Sequence, residues 1–204
     1  MQRLKHSFLL VFICSILFSQ HRGDSVVRQG VDAFFNYEYE KSIEILSNAR
    51  VEFYEHPVVH TVWAAAWYQF DQSQFSADTV YSKFETRLNE IEQIYDSLLT
   101  KYPENAEYLL YLGTAQSLRA RIYLGQKRFV STFYAAYQGF RTIQRANKGS
   151  QGVKDIYLPI GVIEWYSGLS NPVVQIAAQA LGVDPSRTNG IKKMEIAANE
   201  SSWA

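Results

Sequence analysis

Cysteine is almost missing from this chain of 204 residues; Cys14 is the single one. A lone thiol closes no internal disulfide and builds no thiolate zinc site, so stability has to come from packing. Net charge is missing too, with 20 Lys plus Arg against 20 Asp plus Glu. That balance gives no electrostatic footprint for nucleic acid and no general pull toward anionic membranes. All four His lie before residue 61. There is no Gly-rich phosphate loop, no G-x-S-x-G nucleophile turn, no haem-attachment pair and no basic-aromatic stripe. The reading is a non-enzymatic protein with no catalytic residues, no cofactor and no metal.

Aromatic residues are plentiful, at 15% with 14 Tyr, 12 Phe and 4 Trp. Most need burial or a binding surface. The first residues stand apart. Arg3, Lys5 and His6 precede an uncharged apolar run from Phe8 to Phe18. A bilayer span needs roughly 20 such residues. The run instead fits the hydrophobic core of a secretory signal over residues 1–19. A retained signal anchor or a buried N-terminal helix are the alternatives. Val11-Phe12-Ile13 is too bulky to precede a lipidated Cys14. The expectation is export to the periplasm or the outer membrane, with no transmembrane span after signal removal and no thiol in the mature chain.

From Asp24 onward the apolar spacing is helical, with no convincing strict alternation. Turn signals fall at His56-Pro57, Tyr102 to Asn105, Asn147 to Gly152, Ser170-Asn171-Pro172 and Gly182 through Asn189-Gly190. The polar stretch Asp71 to Ala77 reads as a loop. Tyr81, Phe84, Leu88, Ile91, Tyr95, Leu98 and Tyr102 form one apolar stripe on a long helix, with charged residues on its other face. The next helix carries a stripe of mostly small residues: Ala106, Leu110, Gly113, Ser117, Ala120 and Leu124. Phe133, Tyr137 and Phe140 of the following helix are expected to fill it. The last residues, Glu200 to Ala204, continue an apolar helical pattern without a cap, which predicts a truncated chain or a last helix docked elsewhere.

A spacing of small-x3-large-x2-small recurs. It appears at Ser42, Leu46 and Ala49, at Gly139, Ile143 and Ala146, and at Gly190, Met194 and Ala197. Ile91, Tyr95 and Leu98 keep the spacing with a large first residue. The segment Gly30 to Ala49 resembles the tetratricopeptide repeat: a Gly on the first helix, a Tyr-Glu turn, then Ser42, Leu46 and Ala49 on the second. The family repeats every 34 residues, whereas here the interval is near 50. Asp155 to Tyr166 together with Gly190 to Ala197 is similar to uncharacterised exported helical-repeat proteins of bacteria. The resemblance implies an all-α fold, an α-α superhelix of stacked antiparallel helix pairs over residues 20–204, with a partner's peptide or domain on its concave face.

Several residues are candidate contacts for a ligand or partner. Trp63 and Trp67 are four apart on one helix, suited to the core or to an aromatic anchor. Asp155, Glu164 and the aromatics Tyr157, Trp165 and Tyr166 suggest a carboxylate and stacking site; Asp155 also suits a helix cap, and Glu164 a solvent-facing position. His56 and His60, near Glu52 and Glu55, have metal-ligand spacing, but Pro57 between them puts His56 outside the helix that bears His60. Arg22-Gly23-Asp24 and the sequon Asn199-Glu200-Ser201 match short motifs by pattern only. The leading expectation is an exported scaffold or adaptor for protein-protein interaction in the bacterial envelope. The alternative is a periplasmic solute- or lipid-binding component with an aromatic-lined pocket near Tyr157, Trp165 and Tyr166. A cell-wall hydrolase would require Asp155 and Glu164 to converge.

Overall fold

A computed structural model describes residues 21–149, 153–201 and 203. The expected leader, including Cys14, lies outside them. Regular structure among the described residues is entirely helical: nine α-helices and one short 3-10 turn. They form two compact units, one ending at Gln74 and one starting at Phe75. No described helix is long and apolar enough to cross a membrane.

The first unit holds α1 (Asp24–Phe35), α2 (Tyr39–Glu52) and α3 (Val59–Gln74). The turn after α1 is a Schellman motif. Tyr37 sits in the left-handed region at φ 63°, and the amides of Tyr37 and Glu38 donate to the carbonyls of Phe34 and Ala33. This tight reversal lays α2 back on α1. Gly30 marks the crossing. A Cβ there would lie 2.5 Å from Leu46 Cδ2, and the Ser42 hydroxyl donates to the Gly30 carbonyl at 2.8 Å. Ser42, Leu46 and Ala49 are all buried, as their spacing predicts. Asp71 to Gln74, expected as loop, is the last turn of α3. The polarity of Asp71 misleads, because its side chain is fully buried in the fold.

The second unit holds α4 (Ala77–Lys101), α5 (Ala106–Gly125), α6 (Phe129–Gly149), a 3-10 turn (Lys154–Ile156), α7 (Tyr157–Leu169), α8 (Pro172–Ala180) and α9 (Arg187–Glu200). The stripe on α4 buries Phe84, Leu88, Ile91, Tyr95 and Leu98. Its polar side clamps α5: Arg119 donates to Asn89 at 2.8 Å and to Glu92 at 2.7 Å. Asn105 caps α5 by accepting from the amides of Glu107 and Tyr108. Leu109 and Leu110 of α5, Ile143 and Ala146 of α6, Ile156 of the 3-10 turn and Ile160 of α7 share one core cluster.

Small faces small where α5 crosses α6. A Cβ on Gly139 would lie 2.6 Å from the Gly113 carbonyl oxygen, and one on Gly113 would lie 2.8 Å from that of Gly139. The expected filling of the α5 stripe by Phe133, Tyr137 and Phe140 is therefore corrected. Backbones in near contact leave no room for rings, and Phe133 is 61% exposed. The α7–α9 pair repeats the device, with a Cβ on Gly161 or Gly190 falling 2.6 Å from the other's carbonyl oxygen. That contact explains why Asn189-Gly190, expected as a turn, is helical. The turn signals end one step earlier, where the Ser186 hydroxyl caps α9 by accepting from the Asn189 amide. At its other end α9 stops at Glu200, and Ser201 is extended, so the helical pattern does not run on through Ser201.

Gly139→Ala should cost about 1–3 kcal/mol of stability, the usual range for overpacking, because the atom it strikes is backbone and cannot swing aside. Chemical denaturation measures this, and an unchanged midpoint would contradict the close crossing.

Candidate functional site

The residues singled out around Trp165 lie on or just before α7. Glu164 is buried and paired with Lys193 of α9, not solvent-facing as expected. The helix crossing at Gly161 and Gly190 draws α9 close enough to cover it. Glu164 Oε2 is buried without a hydrogen-bond partner among the described residues. Asp155 does not cap the helix. It lies inside the 3-10 turn that runs directly into α7, whose N-terminus has no side-chain cap, and a cap residue needs non-helical backbone. Asp155 faces α5. There the Tyr111 hydroxyl is held well above the ordinary tyrosine value, chiefly by burial and then by the charge of Asp155. Glu164 is thus engaged by Lys193 of α9. Trp165 is half-buried, its backbone beside Gly190. It meets the exposed Tyr166 edge to face at 4.9 Å. Tyr157 is half-buried with Lys154 over its ring at 5.7 Å.

In the first unit Trp63 joins α3 to α2. Its indole N–H donates to Ser47 at 3.0 Å, and Arg50 stacks over its ring at 3.6 Å. Trp67 meets Phe70 edge to face at 5.8 Å. His56 precedes α3 and His60 lies within it. His60 Nδ1 accepts from Arg50 Nε at 3.1 Å, and Nε2 donates to the Tyr54 carbonyl at 2.7 Å. His56 Nδ1 accepts from the Val58 amide, and Nε2 donates to Asp24 at 2.9 Å. Both nitrogens of both rings are spent on different partners, so the pair offers no joint metal site. Among the described residues no group of three His, Cys, Asp or Glu side chains could hold a metal ion.

Arg22-Gly23-Asp24 has structural work as well. Gly23 adopts φ 91° against the Phe53 ring, Arg22 lies 6.0 Å above that ring, and Asp24 accepts from the His21 amide at 3.1 Å as well as from His56.

A cavity of the second unit borders another part of α7. It measures about 270 Å³ and opens between α6, α7, α8 and the residues just after α8. Tyr137 and Phe140 wall one side, Ile163 and Ser167 the next, and Val174 and Leu181 the third. None of Tyr157, Trp165 and Tyr166 lines it. This cavity lies on another face of the same helix from those aromatic residues. Phe133, Tyr137 and Phe140 are available to it because small residues take the α5–α6 contact. The missed signal was the spacing of those three rings, which was assigned to the hairpin core. Asn171 positions α8 by accepting from the Val174 amide at 3.1 Å, with Pro172 at the first helical position. No family model matches this chain, and no curated protein or solved structure matches it either.

Two outcomes follow. Burial raises the Asp24 carboxyl, but the hydrogen bonds and charge of His21 and His56 outweigh it and hold the group below its ordinary value. Asp24 therefore stabilises the fold above about pH 4, near its unfolded titration, and that contribution is lost as acid protonates the folded carboxyl. Asp24→Asn should lower the melting temperature at pH 6 and flatten its fall between pH 5 and pH 2, roughly the span over which a salt-bridged Asp loses its contribution; an unaltered acid limb would contradict the role. Lys193→Met should cost about 2–4 kcal/mol, since it strands a buried carboxylate, while a double change with Glu164→Leu should recover most of that loss in the same denaturation assay.

Proposed function

We propose that this chain is an exported, non-enzymatic helical-repeat protein of the tetratricopeptide-like kind, working as a scaffold or adaptor in the bacterial envelope. The observation that carries the reading is an uncharged apolar surface on α6 and α8. Residues 129–140 and 172–183 contain no Asp, Glu, Lys or Arg. Within them Val130 is 85% exposed and Val173 76%, and Phe129, Phe133, Tyr134 and Ile176 are each more than half exposed. Apolar groups gathered this densely on a surface mark an interaction site. Bulky anchors at helical spacing suit a partner's apolar helix or strand. A membrane-surface helix carries cations along its polar face; α8 has none, and the cations of α6, Arg141, Arg145 and Lys148, lie beyond its apolar first turns, so a protein partner fits better than an anionic bilayer.

The family reading is supported by the first helix pair, where Gly30 meets Leu46 and Ser42 beside a tight turn, and by the recurrence of the small-x3-large-x2-small triplet. Export is supported by the basic residues and apolar run at the start of the sequence. A second reading, a solute-binding component, is favoured by the cavity bordered by α6, α7 and α8.

Photo-crosslinking from Val173 in an envelope fraction tests the scaffold reading. One protein should be recovered reproducibly, and Val173→Glu with Ile176→Glu should abolish its recovery at an unchanged melting temperature. Recovery of no protein, or equal recovery with the double variant, would overturn it.

A further inference from the structure

We propose that the cavity bordered by α6, α7 and α8 binds a neutral amphiphile: a ring or short aliphatic chain bearing one or two hydrogen-bonding groups. This rests on the solute-binding reading and is independent of the docking surface. Three observations carry it. First, size: an apolar cavity of about 150 Å³ takes up benzene, so about 270 Å³ has room for a fused two-ring compound or a chain of comparable bulk. Second, charge: no lining residue is ionisable apart from the Tyr137 phenol. An ionised carboxylate, phosphate or ammonium drawn into such a lining would lose its hydration with nothing to replace it.

Third, polarity: Tyr137 and Ser167 are the two polar side chains of the lining, on different helices. Neither hydroxyl makes a hydrogen bond among the described residues. A hydroxyl can donate or accept, so the pair can read an alcohol, carbonyl or amide on an otherwise apolar ligand. Access is built in as well. Ala178 is the one buried residue of α8, and Val174 and Ala177, which line the cavity, are exposed.

The test uses the whole protein and three fluorescent probes of one shape: 1-naphthol, naphthalene and 1-naphthoate. Saturable binding is expected for 1-naphthol and, more weakly, for naphthalene, and not for 1-naphthoate. Ala177→Phe places a ring in the cavity from an exposed position and should abolish binding. Tyr137→Phe with Ser167→Ala should weaken 1-naphthol about 3- to 10-fold, the worth of a lost hydrogen bond, and leave naphthalene unchanged. Val173→Glu with Ile176→Glu should alter none of this, since neither residue lines the cavity. Equal binding of 1-naphthoate would overturn the neutral chemistry while sparing the solute-binding reading. If no probe binds, or if binding survives Ala177→Phe, both fall.

Discussion

Close approach of paired helices is the constraint on which the rest depends. Two helices normally sit 8–10 Å apart, set by the side chains between them. Where Gly113 meets Gly139, and where Gly161 meets Gly190, no side chain intervenes and backbones touch. A chain without structural disulfides gains its rigidity this way. Each close pair also commits its remaining faces. Once α6 spends Gly139 and Ile143 on α5, its rings at 133, 137 and 140 must point elsewhere. They border the cavity for that reason. The cavity wall is thus a by-product of how the hairpin closes.

The same logic governs the carboxylates. Glu164 is buried because Gly161, one turn earlier on α7, brings α9 down on it. Lys193 is one turn after Gly190 and answers the charge. The pair therefore reports on the crossing.

Much of the architecture was legible from spacing. The stripe on α4, the turn from Tyr102 to Asn105, and the triplet Ser42, Leu46 and Ala49 follow from periodicity and turn chemistry, which are local. The cavity between α6, α7 and α8 was not legible, because which partner a face meets is decided by contacts between helices distant in sequence. Phe133 and Tyr137 look like core at helical spacing whether they face a hairpin partner or a cavity. Asn189-Gly190 looks like a turn, because sequence alone does not tell a glycine needed for a backbone conformation from one needed for a close approach. Asp71 looks like loop for a related reason: burial of a polar group depends on partners the local pattern does not contain.

The distribution of charge says more than its sum. A net charge of zero excludes a strong electrostatic footprint, yet charge is unevenly placed. Arg119 of α5 engages Glu92 and Asn89 of α4, and Arg145 pairs with Glu104 at 2.5 Å. The first turns of α6 and all of α8 are free of charge. A soluble surface normally mixes both signs to keep monomers apart. Leaving one region bare lowers the cost of removing it from water, since no ion has to be stripped of its hydration. That favours contact with something equally apolar, and the two uncommitted hydroxyls behind the bare surface add the only polar selectivity the lining offers.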